Sequence, residues 1–247
     1  MPIHPTAVVH ESASIHPEAE IGPYAFVGES VVIGARTRVG AHAVVDGPTV
    51  LGEDNVVHPH AALGGPPQDL KYAGEPTRLL VGSRNVFREF MTAHRGTVTG
   101  HAETVIGDDN LFMAYAHVAH DCIVGSRNVF ANSASLSGHV VVEDDVVLGG
   151  FAVVRQFCRV GRFAYVGGMT PVNKDVLPFT WTSSDRDTKA YKINAVGLSR
   201  KGYSPDRVSS LQKAYRISGS RMCPRWSAIR PRRLTLRWTR SVRTTGS

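Results

Sequence analysis

Apolar residues recur every six positions along most of this chain. Ile3, Val9, Ile15 and Ile21 open a series that runs to Leu63, resumes at Val81, Phe87 and Ala93, slips in phase, and continues from Ile106 to Val172. A helix would repeat near 3.6 residues and a half-buried strand at 2, and neither gives six over this length. The residue two before each apolar position is often small, as at Ala25, Ala43, Ala134 and Ala152. The residue after it is often glycine, as at Gly22, Gly34, Gly125 and Gly161. Residues two apart on a strand face the same side. Each hexapeptide therefore supplies one short strand with a small and a large inward side chain, then a corner where glycine is expected to relieve backbone strain. Val118, Leu136 and Val154 are 18 apart, the length of one triangular coil of three such sides. Stacked coils bury one another's faces as a parallel β-helix.

The rhythm breaks twice. Between Leu63 and Val81 the sixth positions fall on Asp69 and Glu75, which cannot fill an apolar column unpaired. Excursions from the prism are expected near 64–80 and near 94–104. Loops on a rigid solenoid are the usual carriers of binding residues. The β-helix is assigned to 1–178, a connector and the start of a helical region to 179–217, and a basic tail to 218–247.

Composition removes several classes of function. Apolar residues make up 42% of the 247, enough for a core. No run approaches the ~20 apolar residues of a membrane span. The first residues, MPIHPTAVVHES, lack the basic-then-apolar order of a secretory signal. Three cysteines show no paired spacing for a disulfide framework or a zinc knuckle, and Cys122 and Cys158 lie two coils apart. A cytoplasmic location is the expectation. The net charge of +7 comes from the end of the chain, because nine arginines and no acidic residue follow Tyr215. The preceding residues carry about −2, so the main domain is not a nucleic-acid binder.

Polar residues gather on one part of the outer wall. His120, His139, Arg155 and Gln156 follow Val118, Leu136 and Val154 on three successive coils, and His117 and His94 lie close by. Neighbouring coils are ~4.8 Å apart, so these groups stack without displacing core residues. Imidazole is a good general base near neutral pH. Three histidines could alternatively hold zinc with an open position, as in solenoid carbonic anhydrases. A solvated wall on a purely structural β-helix is the plain alternative.

The stretches QDLKYAGEPT (68–77), HRGT (94–97), AHVAHDC (116–122), SGHV (137–140), RQFC (155–158), VGGM (166–169) and GLSRKGYS (197–204) resemble the acyl-[acyl-carrier-protein]–UDP-N-acetylglucosamine O-acyltransferases. The resemblance runs to about residue 216. It implies a left-handed β-helix followed by a helical region, and a homotrimer with active sites in clefts between prisms. It implies transfer of a 3-hydroxyacyl chain from acyl carrier protein to the 3-hydroxyl of UDP-N-acetylglucosamine, the first step of lipid A synthesis, with no metal or redox cofactor. His120 would be the general base and Asp121 its orienting carboxylate, although adjacent strand residues diverge. The Gly138 N–H would stabilise the oxyanion. Asp69, Lys71, His94, His117, His139 and Gln156 match positions that contact sugar, acyl chain or nucleotide, and Asn194 and Arg200 match phosphate and nucleotide contacts. Gly168 matches the position that limits acyl length, and glycine there suits a chain nearer fourteen carbons than ten.

Two departures stand out. Arg155 replaces a histidine usual in the family; it cannot act as a base but can donate to the sugar, which opens the question of an amino-substituted acceptor. The segment SPDRVSSLQKAYRI (204–217) begins a helix with Ser204 as its cap, and then periodicity is lost in a run rich in arginine, proline and tryptophan. Out-of-frame translation is one reading of that tail, and a natural basic tail for anionic partners is the other. A sister UDP-sugar N-acyltransferase is the neighbouring enzymatic reading, but it normally carries a further N-terminal uridine-binding domain, and here the repeats start at Ile3.

Overall fold

The structure is a computed structural model that describes residues 3–183 and 189–218. Three parallel sheets of nine, eight and ten short strands form the faces of a prism, and only the last strand, Lys189–Ile193, runs antiparallel. The chain is a left-handed parallel β-helix. Consecutive strands belong to consecutive faces, so Val8–Val9 pairs with Phe26–Val27 one coil later and not with its chain neighbour. The face containing Val118 is called here the first, that of Val124 the second and that of Phe130 the third.

The six-residue series is the core. Val27, Val45, Leu63, Ala93, Val118, Leu136 and Val154 form one wholly buried column. Phe87, Phe112 and Phe130 stack inside the third face with ring centroids 5.2 and 4.7 Å apart. Each buried Val, Leu or Phe contributes roughly 1.5–3 kcal/mol. Polar side chains at the corners also bond from coil to coil. Buried Asn55, Asn85, Asn110 and Asn128 form a ladder in which each side-chain oxygen accepts a backbone N–H from the next coil, at 2.7–3.0 Å.

The corner glycines serve a different purpose from the one expected. Only Gly64, where the first excursion leaves the prism, combines this position with positive φ (79°); at the other corners the left-handed conformation falls on non-glycine residues two further on, such as Tyr24, Arg36 and Arg127. Close approach of the next coil demands the glycine instead. A Cβ on Gly34 would lie 2.6 Å from the Gly52 carbonyl, and one on Gly125 would lie 2.4 Å from Asp144 Oδ1.

Both excursions leave the same edge, where the first face turns into the second. The first departs after Ala62–Gly65 and returns at Arg78–Val81; the second departs after Thr92–His94 and returns at Glu103–Ile106. Buried Arg95 fixes the base of both. Its guanidinium donates to the carbonyl oxygens of Gly47 and Gly64 and to the Tyr72 hydroxyl. After the prism, α1 (Ala195–Arg200) and α2 (Pro205–Ser218) follow. Ser204 caps α2, accepting the Arg207 N–H at 3.4 Å. Lys201 ties α1 to the prism through Asp145 at 2.7 Å. The basic tail beyond Ser218, and both readings of it, lie outside the described residues. No helix among the described residues is long and apolar enough to cross a membrane.

Candidate active site

Three corners stacked on the edge between the first and second faces build the site. They are Ala119–His120–Asp121, Ser137–Gly138–His139 and Arg155–Gln156–Phe157, 18 residues apart. His120, Gly138 and Gln156 therefore share one corner position, and Asp121, His139 and Phe157 the next. The second position is left-handed, with φ of 59° at Asp121, 62° at His139 and 66° at Phe157. That geometry corrects the expectation that Asp121 would diverge from His120. Asp121 sits past the strand end, and its side chain turns back beneath the neighbouring imidazole.

His120 Nδ1 lies 2.8 Å from Asp121 Oδ2. The carboxylate is fully buried and densely bonded. Oδ2 accepts the Thr97 hydroxyl at 2.6 Å and the Thr97 N–H at 3.0 Å, and Oδ1 accepts the His101 N–H at 2.8 Å. Burial alone would raise the Asp121 pKa, but the Thr97 hydroxyl, His120 and the loop N–H groups outweigh it and hold the carboxyl below its ordinary value. The second excursion thus closes over the edge and clamps Asp121. Gly100 permits this, since a Cβ there would lie 2.3 Å from Asp121 Oδ1.

Because an ionised carboxylate only accepts, Nδ1 carries the proton and Nε2 presents its lone pair. Nε2 faces the Gly138 corner, where a Cβ would come within 2.7 Å of it. Among the described residues, nothing accepts the Gly138 N–H. The equivalent position carries proline at Pro23 and Pro59, each followed by a left-handed residue, so the coil itself does not need this donor. A lone pair and an unspent N–H therefore stand side by side, the pairing that general-base attack on an acyl group requires.

Three neighbouring histidines have their proton affinity lowered. The His139 ring meets His120 edge-on at 5.1 Å and stacks on Phe157 at 4.7 Å. Burial lowers its pKa despite the opposing charge of Asp121. His117 Nδ1 bonds Thr92 Oγ1 at 2.7 Å, and its pKa falls through burial and the nearby His120. His94 is pushed down to about 4, first by burial and then by His117, His120 and Arg95. His120, Asp121 and His139 could offer ligand atoms within 4.8 Å of one another. They fit a metal ion poorly, because both Asp121 oxygens are already committed to protein donors.

Not every implied residue converges here. The Asp69 charge reaches His139, although Asp69 Oδ1 also accepts the Lys71 N–H at 3.0 Å in its own loop. Lys71, Arg155 and Gln156 are exposed beside the edge. Gly168 lies on a different edge, between the third and first faces, where a Cβ would approach Gly150 O at 3.2 Å. Asn194 lies on the remaining edge. Its Oδ1 accepts the Gly197 N–H at the start of α1 and its Nδ2 donates to Phe163 O, so its side chain acts as a cap. Arg200 is exposed in the last turn of α1. Sequence reasoning placed the second excursion at the site but missed Thr97 and His101, whose contacts follow no period.

Comparison with known proteins identifies the family. A profile described as bacterial transferase hexapeptide (six repeats) matches residues 103–138, and one described as UDP N-acetylglucosamine O-acyltransferase, domain 2, matches 175–226. Over 216 residues the chain is 50% identical to the acyl-[acyl-carrier-protein]–UDP-N-acetylglucosamine O-acyltransferase of Verminephrobacter eiseniae, spanning 87% of this chain and 82% of that one. The chain belongs to that O-acyltransferase family. The Stenotrophomonas maltophilia (strain R551-3) O-acyltransferase is 48% identical over 214 residues, 87% of this chain and 81% of its own length. Among solved structures, LpxA from Acinetobacter baumannii superimposes with a TM-score of 0.86 at 41% identity, covering 88% of this chain and 84% of that one. The Moraxella catarrhalis UDP-N-acetylglucosamine O-acyltransferase gives 0.87 at 42%, covering 91% and 87%. The acyltransferase fold and the dyad edge are thus found together in one chain.

Proposed function

We propose that this protein moves a 3-hydroxyacyl chain from acyl carrier protein to the 3-hydroxyl of UDP-N-acetylglucosamine, the first step of lipid A synthesis. Family membership supports the substrates, and the His120–Asp121 dyad facing an unspent Gly138 N–H carries the mechanism. His120 Nε2 removes the proton as the sugar oxygen attacks the thioester carbon. The new C–O bond forms, and the oxyanion is held by the Gly138 N–H. Collapse breaks the C–S bond, and the proton on His120 passes to the departing thiolate. No redox equivalent is consumed, and no cofactor is called for. Asp121 keeps the imidazole in the tautomer that presents Nε2 and stabilises the imidazolium formed in between.

His94, His117, His139, Asp69, Lys71, Arg155 and Gln156 surround the sugar and acyl groups. Neutral imidazoles at His94, His117 and His139 suit donation to hydroxyls without competing for the proton. Gly168 leaves the acyl path open, which favours the longer chain. The implied residues occupy all three edges of one prism, and one ligand cannot reach three edges of a solid prism. A homotrimer, in which one chain's edge faces another's, brings them together and is part of this proposal, as is action in the cytoplasm.

The test is product chemistry. Purified protein given 3-hydroxymyristoyl carrier protein and UDP-N-acetylglucosamine should yield a nucleotide sugar heavier by one acyl group and labile to mild alkali. An alkali-stable product formed only with the 3-amino acceptor would instead support amide formation and assign Arg155 to that choice.

A further inference from the structure

His120 is held beneath a strap, and one hydroxyl in the strap reaches the same carboxylate oxygen that bonds its Nδ1. The second excursion crosses the edge between the first and second faces and places Thr97 against Asp121. Asp121 Oδ2 is shared: it accepts His120 Nδ1–H at 2.8 Å and the Thr97 hydroxyl at 2.6 Å. The Thr97 N–H and the His101 N–H complete the cradle at 3.0–3.1 and 2.8 Å. Thr97 and Asp121 are buried, so water does not substitute for a lost donor.

We infer that Thr97 is a positioning residue for acyl transfer, one that divides the Asp121 charge between itself and His120 and so sets the pH at which His120 becomes a base. This inference rests on the acyltransferase reading above. The physical reason is competition at one oxygen. A short bond from the Thr97 hydroxyl draws charge from Oδ2, which leaves less to stabilise an imidazolium at His120. Without the hydroxyl more of the Oδ2 charge acts on His120, although the Thr97 and His101 N–H bonds remain, and the proton is retained to higher pH. The other groups facing His120 do not take over this role. His139 meets it edge-on from the next coil, His117 stands on the strand that leads into its own corner, and His94 approaches from the preceding coil. His101 and Asp69 act on His139, one lowering and one raising its proton affinity. Of these side chains only Thr97 hydrogen-bonds the carboxylate oxygen that His120 uses; His139 Nε2 stands 3.9 Å from that oxygen, beyond hydrogen-bond reach.

The glycines of the strap make its position specific. A Cβ on Gly96 would lie 2.2 Å from Glu103 N, and one on Gly100 would lie 2.3 Å from Asp121 Oδ1. The strap therefore has one seat, with the Thr97 hydroxyl over Oδ2.

The experiment compares wild type, Thr97→Val and Thr97→Ser as full chains. Valine keeps the shape and both strap N–H bonds and removes only the hydroxyl; serine restores it. Two readouts are taken, kcat/KM against pH and the NMR titration of the His120 imidazole in the free protein, assigned by its loss in His120→Gln. For Thr97→Val both midpoints are expected to move upward by about half to one pH unit. Activity then falls by up to about tenfold on the acid limb and converges with wild type above it, while Thr97→Ser follows wild type. A Thr97→Val titration that overlays wild type, or a uniform loss across all pH that serine does not restore, overturns the inference. The NMR midpoint is read without turnover. A shift there in a protein that forms no acyl ester supports Thr97's role and sinks the acyltransferase reading; ester formation with an unmoved midpoint does the reverse.

Discussion

Alanine at position 138 tests whether the space above His120 is reserved for catalysis. Gly138 has an ordinary backbone conformation, so alanine meets no φ penalty there. Its Cβ, however, would stand 2.5 Å from His120 Cε1 and 2.7 Å from Nε2. Ordinary contact begins near 3.4 Å, so the ring must retreat by about 1 Å. It cannot do so freely, being tied to Asp121 on one side and packed against the edge of His139 on another. A misplacement of about 1 Å at a reacting group costs on the order of 100-fold in rate. The fold loses little, because a Gly→Ala change at an allowed φ stabilises by roughly 0.4–1 kcal/mol through the unfolded chain. Gly138→Ala should therefore keep the wild-type Tm within a few degrees and lose about two orders of magnitude in kcat, measured by mass spectrometry of the acylated nucleotide sugar. Full activity with an unchanged melting curve would refute this reasoning, since the Nε2 lone pair would then not be working where the corner crowds it.

Other consequences concern pH, the loops and the acyl path. His94 is depressed from 6.5 to about 4, so the unfolded chain takes up its proton first as pH falls. Its contribution to stability should decline from about pH 6.5 to 4 and level off below, and His94→Asn should flatten that part of a Tm-versus-pH curve; an unchanged slope would count against it. Arg95→Met leaves the carbonyls of Gly47 and Gly64 without their donor, with an expected loss of about 2–4 kcal/mol in denaturant unfolding and faster proteolysis within 66–77. Gly168→Met puts a side chain where a Cβ already approaches Gly150 O at 3.2 Å; relative rates with carriers of each length should move toward ten carbons, and an unchanged preference would remove Gly168 from the acyl path.

The solenoid was legible because its period is a physical repeat: one buried residue per short strand, read directly from Ile3 to Val172. The first excursion was legible because Asp69 and Glu75 cannot sit in an apolar column, and the second because the series slips in phase between Ala93 and Ile106. What escaped was direction within the corners. Alternation along a strand sends Asp121 away from His120, but Asp121 belongs to a left-handed corner, where that rule lapses. The same corners misled the reading of the glycines, most of which answer to the distance of the next coil, with positive φ at Gly64. Thr97 and His101 were invisible because the strap has no period, and its bonds to Asp121 span 24 and 20 residues. Asn194 was placed by resemblance among phosphate contacts, while the single chain uses its amide to cap α1.

The central claim is that His120 is the base. Single-turnover acyl transfer, wild type beside His120→Ala, tests it most directly, with 3-hydroxymyristoyl carrier protein and UDP-N-acetylglucosamine at saturation. Removing the base should lower the chemical step by about 10²–10⁴-fold, with the fold and its melting temperature retained. Transfer by His120→Ala at the wild-type rate would contradict the account, because no other imidazole on this edge is both paired to a buried carboxylate and turned toward Gly138.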